Sequence, residues 1–76
     1  MKSADIKLSS IQDVRDFVNI VSKYEMDIDL LSGRYIVDAK SIMGIFSLDL
    51  LSPITVQIHS ENCDAFLEKI KGFIVG

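Results

Sequence analysis

The sequence predicts an α+β fold, an open-faced sandwich in which a four-stranded sheet is covered on one face by helices. Three observations point there. Four short stretches either alternate apolar and polar residues or are rich in β-branched and aromatic ones, the pattern of strands with one dry face. Two longer stretches repeat apolar residues at three- and four-residue steps, which is one face of a helix. The order strand, helix, strand, strand, short helix, strand, helix supplies a single helical layer, enough to cover one side of the sheet and leave the other wet.

The first strand is predicted at Ala4-Asp5-Ile6-Lys7-Leu8, which alternates until Ser9-Ser10 interrupts it. Ile11, Val14, Phe17, Val18, Val21 and Tyr24 then mark one face of a helix. Its start is open on sequence. Ser9 with Gln12 fits a capping box, and Ser10 or Asp13 serves equally well as cap. Asp13 and Asp16 both fall near the positive end of that helix dipole. Met26-Asp27-Ile28-Asp29-Leu30 alternates again, Ser32-Gly33 makes a turn, and Tyr35-Ile36-Val37-Asp38-Ala39 returns as the second arm of a hairpin.

Ser41 is placed to cap a short helical turn carrying Ile42, Met43, Ile45 and Phe46. So short an element cannot bury all four, and an exposed apolar cluster beside a polar residue marks a docking surface. Pro53 precedes the most regular alternation in the chain, Ile54-Thr55-Val56-Gln57-Ile58-His59. Ser60 is then expected to cap a last helix with Cys63, Phe66, Leu67, Ile70 and Phe73 or Ile74 on one face. Asp5, Lys7, Asp27, Asp29, Thr55, Gln57 and His59 are expected to line the wet face.

Seventy-six residues make one domain, 1–76, with 49% apolar residues and a net charge of −3. A chain of this size buries only about 60–65% of its unfolded surface, so its core is marginal. The eight cations are scattered without a basic run, which argues against nucleic acid as a partner. A single cysteine excludes an internal disulfide and suits a reduced, cytoplasmic setting. The polar start Met1-Lys2-Ser3-Ala4-Asp5 predicts no leader segment, and no apolar run reaches the length of a membrane span.

The chemistry-bearing residues are few. His59 is the only histidine, so histidine pairs and triads are excluded. A zinc site needs three or four ligands, and no second cysteine or histidine stands near His59 and Cys63, so no metal is expected. No glycine-rich phosphate loop is present, and no cofactor or enzymatic activity is expected. Ser41 has two readings, a helix cap and a phosphorylation site. A phosphate there adds about −1.5 to −2 charges at a helix N-terminus, where anions are favoured.

The run Lys40-Ser41-Ile42-Met43-Gly44-Ile45-Phe46-Ser47-Leu48 resembles that of HPr, the histidine-containing phosphocarrier protein of the bacterial sugar phosphotransferase system, and most closely its Gram-positive type. The order of elements is similar as well. The resemblance implies a four-stranded antiparallel sheet, and in that type a dedicated kinase phosphorylates the serine matching Ser41. The family's phosphate-accepting loop reads glycine–leucine–histidine–threonine–arginine–proline at the start of the first helix. The matching stretch here is Ile11-Gln12-Asp13-Val14-Arg15-Asp16, which keeps Arg15 and puts Asp13 in the histidine's place. A carboxylate cannot replace imidazole in the phosphate relay. The resemblance therefore implies a regulatory or partner-binding variant. Arg15, Lys40, Ile42, Met43 and Phe46 would form its contact surface, and a serine kinase or a sugar-responsive regulator would be its partner. A phosphocarrier using another residue, or a scaffold that keeps only the fold, are the alternatives.

Overall fold

The computed structural model describes residues 2–75. It contains β1 (Lys2–Ile6), α1 (Ile11–Val21), β2 (Ile28–Ser32), β3 (Tyr35–Asp38), α2 (Ile42–Phe46), β4 (Ile54–Ile58), α3 (Asp64–Ile70) and a closing 3-10 turn (Lys71–Phe73). The four strands form one antiparallel sheet in the order β1-β4-β2-β3, so β4, the strand with the strictest alternation, lies at its interior. Ile54, Val56 and Ile58 point into the core, with Ile6 on one side and Ile28 and Leu30 on the other.

The helices cover that dry face. Val14, Phe17 and Val21 of α1 and Phe66 and Ile70 of α3 are buried. Two edge-to-face aromatic contacts join the helical layer, Phe17 to Phe73 at 6.0 Å and Tyr24 to Phe66 at 5.2 Å between ring centroids. Cys63 is buried and free, a small apolar filler beneath α3.

The hairpin turn between β2 and β3 has Gly33 at φ 61°, and among the described residues no non-glycine residue adopts positive φ. A glycine of positive φ at the first central position, followed by Arg34 with negative φ, is the pattern of a type II′ turn, whose twist matches that of its strands.

Several sequence expectations shift by a few residues, each for a tertiary reason. β1 runs two residues earlier than Ala4–Leu8, because its partner β4 ends at Ile58, opposite Lys2. Leu8 is still buried, but in the connection to α1. β2 likewise starts at Ile28 rather than Met26, where it meets the end of β4. Ile11, expected on the dry face of α1, is 63% exposed, because the first turn of the helix overhangs the core. Ser60 does not cap the last helix. Its Oγ accepts from Asn62 N at 3.2 Å in a tight turn, and α3 begins later, with Cys63 at the cap position and no side-chain cap bond.

That helix stops at Ile70. Beyond the 3-10 turn the chain is extended, and Ile74 bridges Ile6 in antiparallel fashion. Lys7 N donates to Phe73 O and Val75 N donates to Asp5 O, so the C-terminal segment covers part of the β1 edge.

The wet face carries two cross-strand rows, Ser3-Gln57-Asp29-Asp38 and Asp5-Thr55-Leu31-Ile36. Lys7, Asp27 and His59, expected on it, lie just beyond the strand ends. Leu31 and Ile36 are apolar members that alternation around Asp27 and Asp29 did not reveal.

Candidate functional site

The start of α1 is closed by its own side chains. Ser10 is the N-cap, and its Oγ accepts from Asp13 N at 3.0 Å. Asp13 returns the contact: its Oδ2 accepts from Ser9 N at 2.9 Å. One donor that the helix start leaves without an intrahelical partner, Asp13 N, and the N–H of the residue just before the cap, Ser9, are thereby satisfied. Of the three caps open on sequence, Ser10 is the one used, and Asp13 supports it from the third helical position. One turn on, Asp16 Oδ1 accepts from Gln12 Nε2 at 2.8 Å. Arg15 is exposed, and among the described residues no hydrogen bond or ion pair engages it.

The start of α2 is built the same way. Ser41 is exposed, and its Oγ accepts from Gly44 N at 3.1 Å. Its own N–H donates to Asp38 O at 2.9 Å, and Lys40 N donates to Asp38 Oδ1 at 2.9 Å. Asp38 thus shapes the corner from β3 into the serine. Gly44 has a steric role. A Cβ there would lie 3.1 Å from Ser41 Oγ and 3.2 Å from Val37 Cβ, so its absence lets α2 sit close to β3 with the cap intact.

Of the four apolar residues of α2, only Ile45 is buried. Ile42 is half-buried, Met43 is 78% exposed and Phe46 is 42% exposed. The far end of α2 faces the start of α1. Phe46, Leu8, Ser9, Ser10, Ile11, Leu50 and Leu51 line one shallow, mainly apolar depression of about 380 Å³. Leu51 is 87% exposed at its rim. The Lys7 ammonium donates to Leu51 O and ties this loop to the end of β1.

Phe46 is thus brought against the start of α1. Lys40 and Ser41 lie at the opposite end of α2, about 7 Å away along its axis. Ile11, Leu50 and Leu51 were missed. The available signal was the Leu50-Leu51 doublet in a loop, where no amphipathic element accounts for two large apolar side chains.

His59 lies elsewhere. It follows β4 at the end of the sheet where Ile58 faces Lys2, whereas α1 begins beyond the Ile6 end. Four strand residues separate those ends, roughly 13 Å. Its Nε2 is 2.9 Å from Asp29 Oδ2, with both side chains about one-third exposed (34% and 33%). Asp27 and Asp38 complete a polar recess there. Among the described residues no group of three or more His, Cys, Asp or Glu is placed to hold a metal ion, and no helix is long and apolar enough to cross a membrane.

The family model "PTS HPr component phosphorylation site" matches residues 12–75. The fold is similar to that of HPr-C-His from Thermoanaerobacter tengcongensis, with TM-score 0.78 and 24% identity over 95% of this chain and 89% of that one. It is similar to the phosphocarrier protein HPr from Bacillus anthracis, with TM-score 0.71 and 26% identity over 97% and 94%. It also resembles the histidine-containing phosphocarrier protein of a Mycoplasma, with TM-score 0.73 and 22% identity over 99% and 98%. Comparison with curated proteins gives no match.

Proposed function

The chain belongs to the HPr family of the sugar phosphotransferase system, whose members carry phosphate and are not enzymes, and from that premise we propose that it is a partner-binding variant that does not relay phosphate through histidine. The observation that carries this reading is the reciprocal closure at the start of α1, Ser10 Oγ on Asp13 N and Asp13 Oδ2 on Ser9 N. A phosphate-accepting loop needs a nucleophile there and free backbone donors for the arriving anion. This helix start offers a hydroxyl and a carboxylate. The carboxylate occupies one of the donors and repels a phosphate. Whether the family's histidine position is matched to Asp13 by sequence or to Ser10 by its place at the helix boundary, the residue is not an imidazole. The one imidazole, His59, is held by Asp29 at the opposite end of the sheet.

The contact surface in this reading combines the two helix starts and what lies between them. Met43 and Phe46 supply exposed apolar area, Ile42 backs them, and Arg15 and Lys40 supply positive charge at its margins. Ser41 is the regulatory position. A phosphate on its Oγ meets the Gly44 N–H that the hydroxyl already engages, so the fold changes little while the surface gains charge. The partners are proteins of the phosphotransferase network, a serine kinase or a sugar-responsive regulator, met in the cytoplasm by the chain acting as one domain.

Two incubations read by intact mass test this. With phosphoenolpyruvate and the general phosphotransferase enzyme, no acid-labile phosphate is expected, and a phosphohistidine at His59 overturns the reading. With the serine kinase and ATP, one phosphate is expected on the wild type and none on Ser41→Ala. No phosphate on either leaves Ser41 a helix cap and favours a scaffold role.

A further inference from the structure

We propose that the chain associates with a second copy of itself through the free edge of β3, in an antiparallel register centred on Ile36. β3 ends the sheet, and only its β2 side is paired. Edge strands are usually protected by a lysine, a proline or a bulge at mid-strand. Here the registered pairs with β2 run without interruption from Tyr35 to Asp38, and the middle of the strand is Tyr35-Ile36-Val37. Tyr35 is 71% exposed and Ile36 65% exposed, on opposite faces of the sheet.

The backbone geometry identifies which groups are open. The two-residue turn makes Ser32 and Tyr35 a hydrogen-bonded pair, and the bond from Ala39 N to Ile28 O at 2.9 Å shows the same phase at the other end. Alternation between these points leaves Leu31–Ile36 and Asp29–Asp38 as the pairs that do not exchange backbone bonds. The N–H and C=O of Ile36 therefore point out of the sheet edge, where a second Ile36 can exchange both bonds with them.

Charge selects a copy of the same chain as the occupant. In the register that puts Ile36 opposite Ile36, Arg34 falls opposite Asp38 of the second copy, and two-fold symmetry repeats that pair. Among the described residues nothing engages the Arg34 guanidinium. One Asp38 oxygen holds Lys40 N, and the other has no partner among the described residues. Three residues of aromatic or apolar character, Tyr35, Ile36 and Val37, flanked by one cation and one anion in an order that self-complements only when antiparallel, fit a second β3. An arbitrary peptide strand would not supply these charges. The contact is small, so the dimer is weak and populated at high concentration.

Sedimentation velocity from about 10 μM to about 1 mM tests this on the intact chain, a range that populates small contacts. The wild type is expected to pass from monomer to dimer. Ile36→Lys, an exposed position, is expected to remain monomeric with an unchanged circular dichroism spectrum. Arg34→Glu and Asp38→Lys each place like charges opposite one another twice, and each is expected to weaken the dimer about tenfold or more. An equimolar mixture of those two variants places opposite charges at both positions and is expected to recover association. That recovery also shows that neither variant failed by unfolding. A wild type that stays monomeric to 1 mM overturns the proposal, as does an Ile36→Lys variant that dimerises like wild type or a mixture that associates no better than its components.

Discussion

Replacing Asp13 by alanine removes two separable contributions at the start of α1. The first is the bond from Ser9 N to Asp13 Oδ2 at 2.9 Å. The second is the attraction of a carboxylate in the first turn to the helix dipole, about 0.3–1 kcal/mol at a surface site. The site is only half-buried, so Ser9 N turns to water when the carboxylate is lost, and the net loss of that bond is about 0.5 kcal/mol, at the low end for one hydrogen bond. Together these give about 1 kcal/mol for Asp13→Ala. Asp13→Asn keeps an acceptor and loses the charge, so about half that loss is expected. Ser10→Ala removes the N-cap bond to Asp13 N and is expected to cost about 1 kcal/mol. Because both bonds run through Asp13 and fix the same turn, the double variant is expected to lose less than the sum. Urea titration of the four variants beside wild type measures this, and about 1 kcal/mol corresponds to about 4–8 °C in Tm for a domain of this size. An Asp13→Ala variant as stable as wild type, with Ser10→Ala destabilised as expected, would refute the reciprocal closure. Asp13 would then be free to serve a partner alone.

Three further substitutions test other parts of the structure. Gly44→Ala gains about 0.8–1 kcal/mol of helix propensity, yet its Cβ meets Ser41 Oγ and Val37 Cβ, neither of which moves without loosening the cap or β3. A net loss of about 0.5 kcal/mol is expected on urea titration, and a stabilised variant would show that the corner yields. Phe66→Ala empties the space between Tyr24 and the sheet and is expected to cost about 3–5 kcal/mol, enough to unfold much of a chain with so small a core. Circular dichroism at 37 °C reads the loss. His59→Gln breaks a one-third-exposed pair with Asp29 and is expected to change stability by about 0–1 kcal/mol. A larger loss would give that pair a structural role at the Asp29–Asp38 crossing.

Fold class, element order and most of the core were legible because they rest on periodicity and local chemistry. Ile54 to Ile58 alternates so strictly that it had to be a strand with one dry face, and Val14, Phe17 and Val21 could only be one side of a helix. Ser41 read as a cap because the serine precedes a short apolar run, and its oxygen reaches Gly44 N by local geometry alone.

What sequence left open is decided by partners distant along the chain. Nothing local tells β1 to start at Lys2 instead of Ala4; the length and register of β4 do. Ser60 looks like a cap beside an apolar run, but the chain first spends a turn on Asn62 before α3 begins. Ile11 carries the helical period of the dry face, yet it falls at the end of α1, where no sheet lies beneath it. It lines one depression with Phe46, Leu50 and Leu51 instead, a neighbourhood made by segments separated by up to 40 positions (51 − 11). His59 and Asp29 touch only because β2 and β4 pair. The sequence by itself determined which residues need burial and which backbone shapes are locally cheap. The tertiary structure alone decided which exposed side chains stand together, because surface neighbours are set by strand register and by how helices end over the sheet, and hydrophobic periodicity encodes neither.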